Sequence, residues 1–150
     1  MTRAQAATLI TERFGTAQVQ GEAPLVVTVP PGEWLSLARF VSETLGCRFF
    51  SFSTAVDWKD EGLEVVARVE NLDDGVAVMM KTRLPAGTTT CASLVPVYKG
   101  AGWMERECFD MFGIRFEGHP DLRRILLDDD WEGHPLLKSY AVDTPHPPYR

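Results

Sequence analysis

Two runs of alternating hydropathy joined by a turn constrain the fold of this chain more than any other feature. Residues 63–70 read LEVVARVE and residues 76–83 read VAVMMKTR, so apolar side chains at every second position share one face. A period of two is typical of a β-strand that buries one face. The intervening NLDDG, residues 71–75, consists largely of turn-forming residues. The pattern predicts a β-hairpin.

Amphipathic helices are predicted before this hairpin. Thr2 and Gln5 have the spacing of a capping box, and apolar residues follow at positions 7, 10 and 14. Residues 25–29 and the aromatic stretch 47–56 are typical of strands. Between them lies a helix with one apolar face, formed by Trp34, Leu37, Ala38, Val41 and Leu45. This order predicts an α+β fold of the split β-α-β type, with helices packed on one face of a mainly antiparallel sheet.

The last third of the chain carries most of the acidic excess. Residues 1–100 contain 9 basic and 11 acidic side chains, whereas residues 101–150 contain 6 basic and 10 acidic side chains. The local net charges are −2 and −4, out of −6 for the 150 residues. A shift of this kind indicates a change of role along the chain. We therefore expect an α+β part, residues 1–100, and a helix with a partner-binding arm, residues 101–150, within one structural domain.

A further helix and an extended arm are predicted after residue 100. The apolar positions 104, 108, 111 and 112 recur at helical intervals, and Gly113 ends the pattern. Glycine and proline then interrupt the sequence repeatedly, so residues 119–150 are predicted to be extended. Such an arm has little core of its own to join. This favours an arm that packs on another protein.

The composition argues against several classes of protein. An acidic chain lacks the clustered Lys and Arg that phosphate neutralisation needs, which argues against nucleic-acid binding. No apolar run approaches the ~20 residues of a membrane span, and the amino terminus lacks the apolar core of a signal peptide. The three cysteines, Cys47, Cys91 and Cys108, are widely spaced and fit neither a disulfide framework nor a metal knuckle. No glycine-rich phosphate loop is present in the sequence.

Carboxylates cluster in the predicted helix that follows residue 100. Glu105, Glu107 and Asp110 invite an acid–base interpretation, because two close carboxylates can share one proton. Glu107 and Asp110 are three residues apart and are predicted to share a helix face. The alternative, which we favour, is a solvated or interfacial helix face on which Arg106 offsets the negative charge. Cys108 belongs to the apolar stripe and is expected in the core.

Histidines and aspartates of the arm are candidate metal ligands. His119, His134 and His146, with the aspartates at 128–130, supply suitable donor types. No two of these histidines have the spacing of metal ligands, and each one precedes a proline. We therefore favour a solvated acidic turn with histidines in extended segments.

The adjacent Arg123 and Arg124 are a candidate basic site. Arginine binds carboxylate or phosphate groups through planar, bidentate hydrogen bonds. With Asp121 beside them, the two arginines equally suit salt bridges between proteins, which is the interpretation that we favour. No complete catalytic set emerges from the residues alone. A binding module therefore remains by elimination.

Residues 105–124 closely resemble the signature of a known protein family. They read ERECFDMFGIRFEGHPDLRR and match the pattern E-R-E-x-x-D-x-F-G-I-x-F-x-x-H-P-x-L-R-R at every fixed position. That pattern belongs to the C-type subunit of the proton-pumping NADH:quinone oxidoreductase, respiratory complex I, also called the thirty-kilodalton subunit family. The following residues 133–140 are similar to the family's G-x-P-L-R-K-D-(F/Y) continuation. The first hundred residues agree with the family in the order of their elements.

The resemblance implies a non-catalytic subunit of the peripheral arm of complex I, a translocase of the respiratory chain. Such subunits carry no iron–sulfur cluster, flavin or quinone site, and those cofactors are expected on partner subunits. The chain would pack against the D-type subunit, the forty-nine-kilodalton partner in this family of complexes, and other hydrophilic-arm subunits. It would be peripheral, on the cytoplasmic side of the cell inner membrane, with membrane contact only through the complex. The residues expected at the partner interface are Glu105, Arg106, Glu107, Asp110, Gly113, His119, Pro120, Arg123, Arg124, Pro135 and Lys138.

Two positions depart from the family pattern. Leu137 stands where the family has Arg, and Ser139 where it has Asp, so an expected pair of interface charges is absent. Related subunits serve membrane-bound, energy-converting nickel–iron hydrogenases and formate hydrogenlyases, which makes such an assembly the first alternative. The second alternative is a stand-alone metal-dependent hydrolase that uses the aspartates and histidines of the arm.

Overall fold

The amino-terminal helix forms as its capping residues predict. The structure, a computed structural model, describes residues 1–21, 23–143 and 145. Helix α1 spans Arg3–Arg13, and the Gln5 backbone N–H donates to Thr2 Oγ1 at 3.3 Å. The Thr2 N–H donates in return to Gln5 Oε1 at 2.8 Å, which confirms the capping box. Ile10 faces the core and is fully buried.

A five-stranded sheet forms the centre of the fold. Its strands are β1 (Gln18–Gln20), β2 (Leu25–Thr28), β3 (Phe49–Asp57), β4 (Leu63–Asn71) and β5 (Val76–Arg83). They lie in the order β1-β2-β5-β4-β3, in which β2 and β5 are parallel and the other neighbours antiparallel. The predicted hairpin is confirmed as β4 and β5. The predicted α+β fold with a mainly antiparallel sheet is likewise confirmed.

Helix α2, Trp34–Glu43, covers one face of this sheet. A 3-10 turn at Pro31–Glu33 precedes it. Its predicted apolar face is confirmed, because Trp34, Leu37, Ala38, Val41 and the following Leu45 are at most 1% exposed. The ring of Phe40 in α2 meets that of Phe14 edge to face, 5.5 Å between centroids, so the end of α1 packs beside α2.

Strand β4 is more buried than a strand with one covered face. Residues 63–67 are all buried, including Glu64 and Val66, whose side chains alternate with that of Val65. The expectation of a half-buried strand is therefore wrong for this stretch. On the second face the long side chain of Arg83 lies over Glu64, with its Nη2 3.5 Å from the carboxylate.

Helix α3, Ala101–Phe112, lies along β3, one of the two edge strands of the sheet. The outward N–H of Ser53 in β3 donates to Met104 Sδ at 3.0 Å. An edge strand covered in this way does not present its free backbone groups to other chains. Beside α3, two short strands, β6 (Thr90–Ala92) and β7 (Arg115–Glu117), pair in parallel, a feature that the sequence pattern does not indicate.

The carboxy-terminal arm lies on its own chain. The described residues from 118 to 143 form no helix or strand, which agrees with the predicted extended arm. However, Leu122, Leu127 and Leu137 pack against the core. The expectation that the arm has little core to join is therefore wrong for these residues. Cys108 belongs to the same buried cluster and is 2% exposed, as predicted.

Candidate partner-binding site

Asp110 holds the arm against α3. Its side chain is fully buried, and Oδ2 accepts the N–H groups of Ile125, Leu126 and Leu127 at 3.1, 2.8 and 3.0 Å. Arg124 Nη1 donates to Oδ1 at 2.7 Å. Burial raises the pKa of Asp110, but Arg124 and the three N–H groups outweigh it and hold this pKa below its ordinary value. Asp110 is therefore ionised near neutral pH, with both oxygens engaged within the chain.

Arg124 supplies the other half of this arrangement, which we call the Asp110–Arg124 lock. Besides the carboxylate, its Nη1 reaches the Asp110 carbonyl oxygen at 3.3 Å. Its Nη2 donates to the carbonyl oxygens of Trp131 at 2.8 Å and Gly133 at 3.0 Å. The side chain is 13% exposed. The salt bridge that the structure shows for Arg124 is within the chain, and its salt bridge to a partner stays a prediction.

Arg106 attaches the arm at a second point. Its Nε donates to the carbonyl oxygen of Arg123 at 3.1 Å, and its Nη2 to that of Arg124 at 2.9 Å. Its Cζ lies 5.1 Å from the centre of the Trp103 ring, within cation–π distance. The sequence predicts that Arg106 offsets neighbouring carboxylates, but its hydrogen bonds go to backbone carbonyl groups.

Glu105 joins α3 to the segment that follows β6. The side chain is 1% exposed and accepts the Ser93 hydroxyl and the Leu94 N–H, each at 2.6 Å. Burial raises the pKa of Glu105, and these two hydrogen bonds only partly oppose the rise. The sequence does not single out Ser93, because a lone serine twelve residues away carries no pattern.

Glu107 differs from its three charged neighbours. It is exposed, whereas Asp110, one turn later on the same side of α3, is fully buried. The arm covers Asp110, near the end of this side of α3, and leaves Glu107 open. Both Asp110 oxygens accept hydrogen bonds from the arm, which disfavours a proton shared with Glu107. Arg123 is also exposed, and its Nε donates to Asp121 at 3.0 Å.

Gly113 and His134 form the junction between the end of α3 and the arm. Gly113 has φ of +74°, a left-handed conformation in which glycine is favoured at a helix end. His134 Nδ1 donates to the Asp110 carbonyl oxygen at 2.9 Å. A Cβ atom on Gly113 would lie 2.8 Å from His134 Cδ2, so the ring requires glycine here. Neither the contact nor its partner is visible in the sequence.

His119 makes the equivalent contact at the other end of α3. Its Nε2 donates to the Gly102 carbonyl oxygen at 2.9 Å, and its Nδ1 accepts the N–H of Asp121 at 3.0 Å. The ring therefore fixes the turn that begins the arm, and both nitrogens are occupied. The following Pro120 is exposed.

Lys138 attaches the far end of the described arm through its backbone. Its N–H donates to Asp57 Oδ2 at 2.8 Å, at the end of β3. This N–H and that of Lys59 lower the pKa of the Asp57 carboxyl. Pro135 is half-buried nearby in the sequence, and the Lys138 side chain is exposed. Asp57 is not among the predicted residues, because its contact joins positions 81 residues apart.

Similarity to known proteins identifies the family. Residues 27–146 match the model of the respiratory-chain NADH dehydrogenase 30 Kd subunit. The chain belongs to this family. It is 45% identical over 128 residues to the C subunit of NADH-quinone oxidoreductase from Rhodobacter capsulatus, covering 83% of the chain and 63% of the relative. The C subunit of the same enzyme from Trichlorobacter lovleyi is 38% identical over 138 residues, which cover 87% of the chain and 83% of the relative.

Solved structures share the fold of this thirty-kilodalton-family member. A membrane-bound sulfane sulfur reductase, an archaeal respiratory membrane complex, contains a chain that is 28% identical, with a TM-score of 0.71. That similarity covers 85% of this chain and 77% of the other. A trypsin-resistant fragment of Nqo5 is 24% identical, with a TM-score of 0.68 over 81% of this chain and all of that one. The second likeness concerns the fold alone.

We searched the described residues for membrane-spanning helices and for metal sites. The described residues contain no helix long and apolar enough to cross a membrane. They also contain no group of three or more His, Cys, Asp and Glu side chains arranged to hold a metal ion. The aspartates at 128–130 are exposed, and His146 lies outside the described residues. Leu137 and Ser139, which depart from the family pattern, line an open cleft of about 450 Å³ beside Asp57.

Proposed function

We propose that the chain is a non-catalytic subunit in the peripheral arm of a proton-pumping NADH:quinone oxidoreductase. It packs against the D-type subunit, where electrons from the iron–sulfur chain reach quinone, and carries no cluster, flavin or quinone site. It lies on the cytoplasmic side of the cell membrane and contacts the membrane only through the complex. Family membership and relatives named as C subunits of NADH-quinone oxidoreductase support this proposal.

The observation that carries a non-catalytic role is the use of the charged signature within the chain. Glu105, Asp110 and Arg124 are the residues that an acid–base or anion-binding site would need. Each is hydrogen-bonded to the chain itself; Glu105 and Asp110 are buried, and Arg124 is 13% exposed. Polar groups that are saturated by their own fold shape a rigid surface and do not turn over a substrate.

Purification of the chain from its own cells tests this proposal. A tagged copy at the native gene position should bring down the D-type subunit and the NADH-oxidising subunits in stoichiometric amounts. Membranes from a strain without the gene should lose NADH:quinone reductase activity, and the wild-type gene should restore it. The proposal fails if the chain purifies alone, or if the purified chain retains a stoichiometric metal ion and hydrolase activity.

A second assembly is a candidate on one observation. The similar chain in the sulfane sulfur reductase belongs to a respiratory membrane complex of another name. This favours, as the alternative, the equivalent subunit of a membrane-bound nickel–iron hydrogenase or formate hydrogenlyase. The same purification distinguishes the two assemblies. An NADH-binding flavoprotein accompanies the chain in the NADH:quinone oxidoreductase, and a nickel-containing subunit accompanies it in the hydrogenase or hydrogenlyase.

A further inference from the structure

We propose that Trp103 and Glu107 on α3 form the principal contact with the partner subunit, a proposal that rests on the proposed function. The partner presents an apolar pocket for the indole ring and a basic side chain for Glu107. We call Trp103, Arg106, Glu107 and Arg123 together the Trp103 surface. This surface borders the locked arm but does not include the lock itself.

Trp103 is both exposed and held in place. Its side chain is 66% exposed, although a tryptophan buries more apolar area than other residues when it is covered. The ring packs on the Arg106 guanidinium, 5.1 Å from the ring centre, and two carbonyl oxygens of the arm fix that guanidinium. An exposed aromatic ring that is already held in place loses little conformational entropy on binding. Such residues dominate binding energy at interfaces.

The charge of the Trp103 surface indicates what its partner carries. Glu107 lies four residues after Trp103, on the same side of α3, and is exposed. Arg123 pairs with Asp121, so these two charges offset each other. Arg106 is only 8% exposed, and its guanidinium donates to carbonyl oxygens of the arm. Among the residues that the structure describes, the Glu107 side chain has no ion pair or hydrogen bond, so Glu107 is the exposed charge of the Trp103 surface that remains open. Charge complementarity therefore selects a basic partner surface.

The same charge disfavours other occupants. The chain carries a net charge of −6, of which −4 lies in residues 101–150, so two copies that meet at this surface would repel each other. Nucleic acid and anionic lipid are also negatively charged and are disfavoured for the same reason. A protein with basic residues around an apolar pocket remains.

A second exposed tryptophan provides a matched control. Trp58 is 43% exposed and also packs on a guanidinium, that of Arg83, at 4.8 Å. However, Arg83 contacts both Glu61 and Glu64, so this second pair carries no open basic or acidic group of its own. Trp58 also lies outside the signature. A loss of binding that is specific to Trp103 therefore separates a defined contact from general surface hydrophobicity.

The experiment measures the affinity of the purified full chain for the purified D-type subunit of the same organism, at 0.05 and 0.3 M salt. Trp103→Ala should weaken binding on the order of 30-fold at both salt concentrations. Glu107→Lys should weaken it strongly at low salt and less at high salt, because ions screen exposed charges. The controls Trp58→Ala and Glu43→Lys, the second an exposed residue of α2, should stay within about threefold of wild type.

The outcomes are distinguishable. If wild type binds and the Trp103 and Glu107 variants bind equally well, this proposal is overturned and the proposed function stands. If wild type does not bind the D-type subunit, both are overturned. If sedimentation shows a dimer of the chain that Trp103→Ala abolishes, the occupant is a second copy and the proposal is wrong. All four variants should have the melting temperature of wild type, since each changed side chain is exposed.

Discussion

The sheet and the carboxy-terminal arm of this protein are stabilised in different ways. In the sheet and its helices, apolar side chains at strand and helix periods are buried together, and no single contact decides the outcome. The arm contributes few apolar contacts and is positioned by Asp110, Arg124 and Arg106. Hydrogen bonds to buried charges are directional, and each one that is lost leaves an unpaired group. The charged signature therefore acts first as a folding element, and only its open side is available to a partner.

The largest expected effect comes from removing the centre of the lock. Asp110→Ala leaves the Arg124 guanidinium and three N–H groups without their acceptor. We expect a loss of about 3–5 kcal/mol in the free energy of unfolding, measured by urea denaturation, and rapid tryptic cleavage of the arm. Glu107→Ala, three residues earlier and exposed, should stay within about 0.5 kcal/mol of wild type. Equal losses in the two variants would contradict the contrast between the regions.

The junction between the regions should be the next most sensitive point. Gly113→Ala combines a left-handed backbone, φ +74°, with a contact of 2.8 Å between the new Cβ and His134 Cδ2. Gly75→Ala in the β4–β5 turn has a similar φ of +66° but meets nothing within 4 Å. The turn variant should lose about 1 kcal/mol from backbone strain, and the junction variant at least about 1 kcal/mol more, as measured by urea denaturation. In a His134→Ala background, Gly113→Ala should cost no more than Gly75→Ala costs in wild type, because the clashing ring is absent.

The two regions also differ in how far the sequence predicts them. The β4–β5 hairpin and the apolar face of α2 follow from periodicity, because burial of one face imposes the repeat on the residues themselves. The lock does not follow, because a carboxylate that binds backbone N–H groups 15 residues away has the same one-letter pattern as a solvated one. The sequence alone therefore predicts an open or interfacial face for Glu105 and Asp110, where only Glu107 lies.

The resemblance to a family locates the signature but does not predict which of its side chains are exposed. It predicts Arg123 and Arg124 together at an interface, whereas the structure covers most of the Arg124 side chain and exposes that of Arg123. Backbone direction decides this difference, because adjacent residues of an extended segment point to opposite sides. Such a distinction depends on the path of the arm over α3, which no local pattern contains.

The two buried carboxylates of α3 should respond to pH in opposite directions. The pKa of Asp110 is below its ordinary 3.8, so its contribution is present above that pH and is lost as the pH falls through the lower native pKa. The pKa of Glu105 is above its ordinary 4.5, so the folded state binds this proton more tightly. Ionisation of Glu105 therefore lowers the free energy of unfolding as the pH rises from about 4.5 through the higher native pKa.

Urea denaturation of Glu105→Gln between pH 3 and pH 8 tests this assignment. The variant should not show the fall in the free energy of unfolding that Glu105 causes as the pH rises. It should keep the loss of stability below pH 3.8 that depends on Asp110. Asp110→Asn should show the reverse pattern on a less stable background. A parallel pH profile for wild type and Glu105→Gln would refute the raised pKa of Glu105.

The smallest expected effect concerns Arg123, the neighbour of the locked arginine. Its side chain is 65% exposed and, within the described part of the chain, pairs with the similarly exposed Asp121, so water replaces this ion pair at little cost. Arg123→Ala should leave the melting temperature unchanged, whereas Arg124→Ala should lower it clearly, because Asp110 is then buried without its cation. The pKa of Asp121, held below its ordinary value chiefly by the hydrogen bond from Arg123, should rise in Arg123→Ala when followed by NMR titration. A melting temperature reduced equally in both variants would mean that the arm is held along its whole length, and that the division between locked and open residues is wrong.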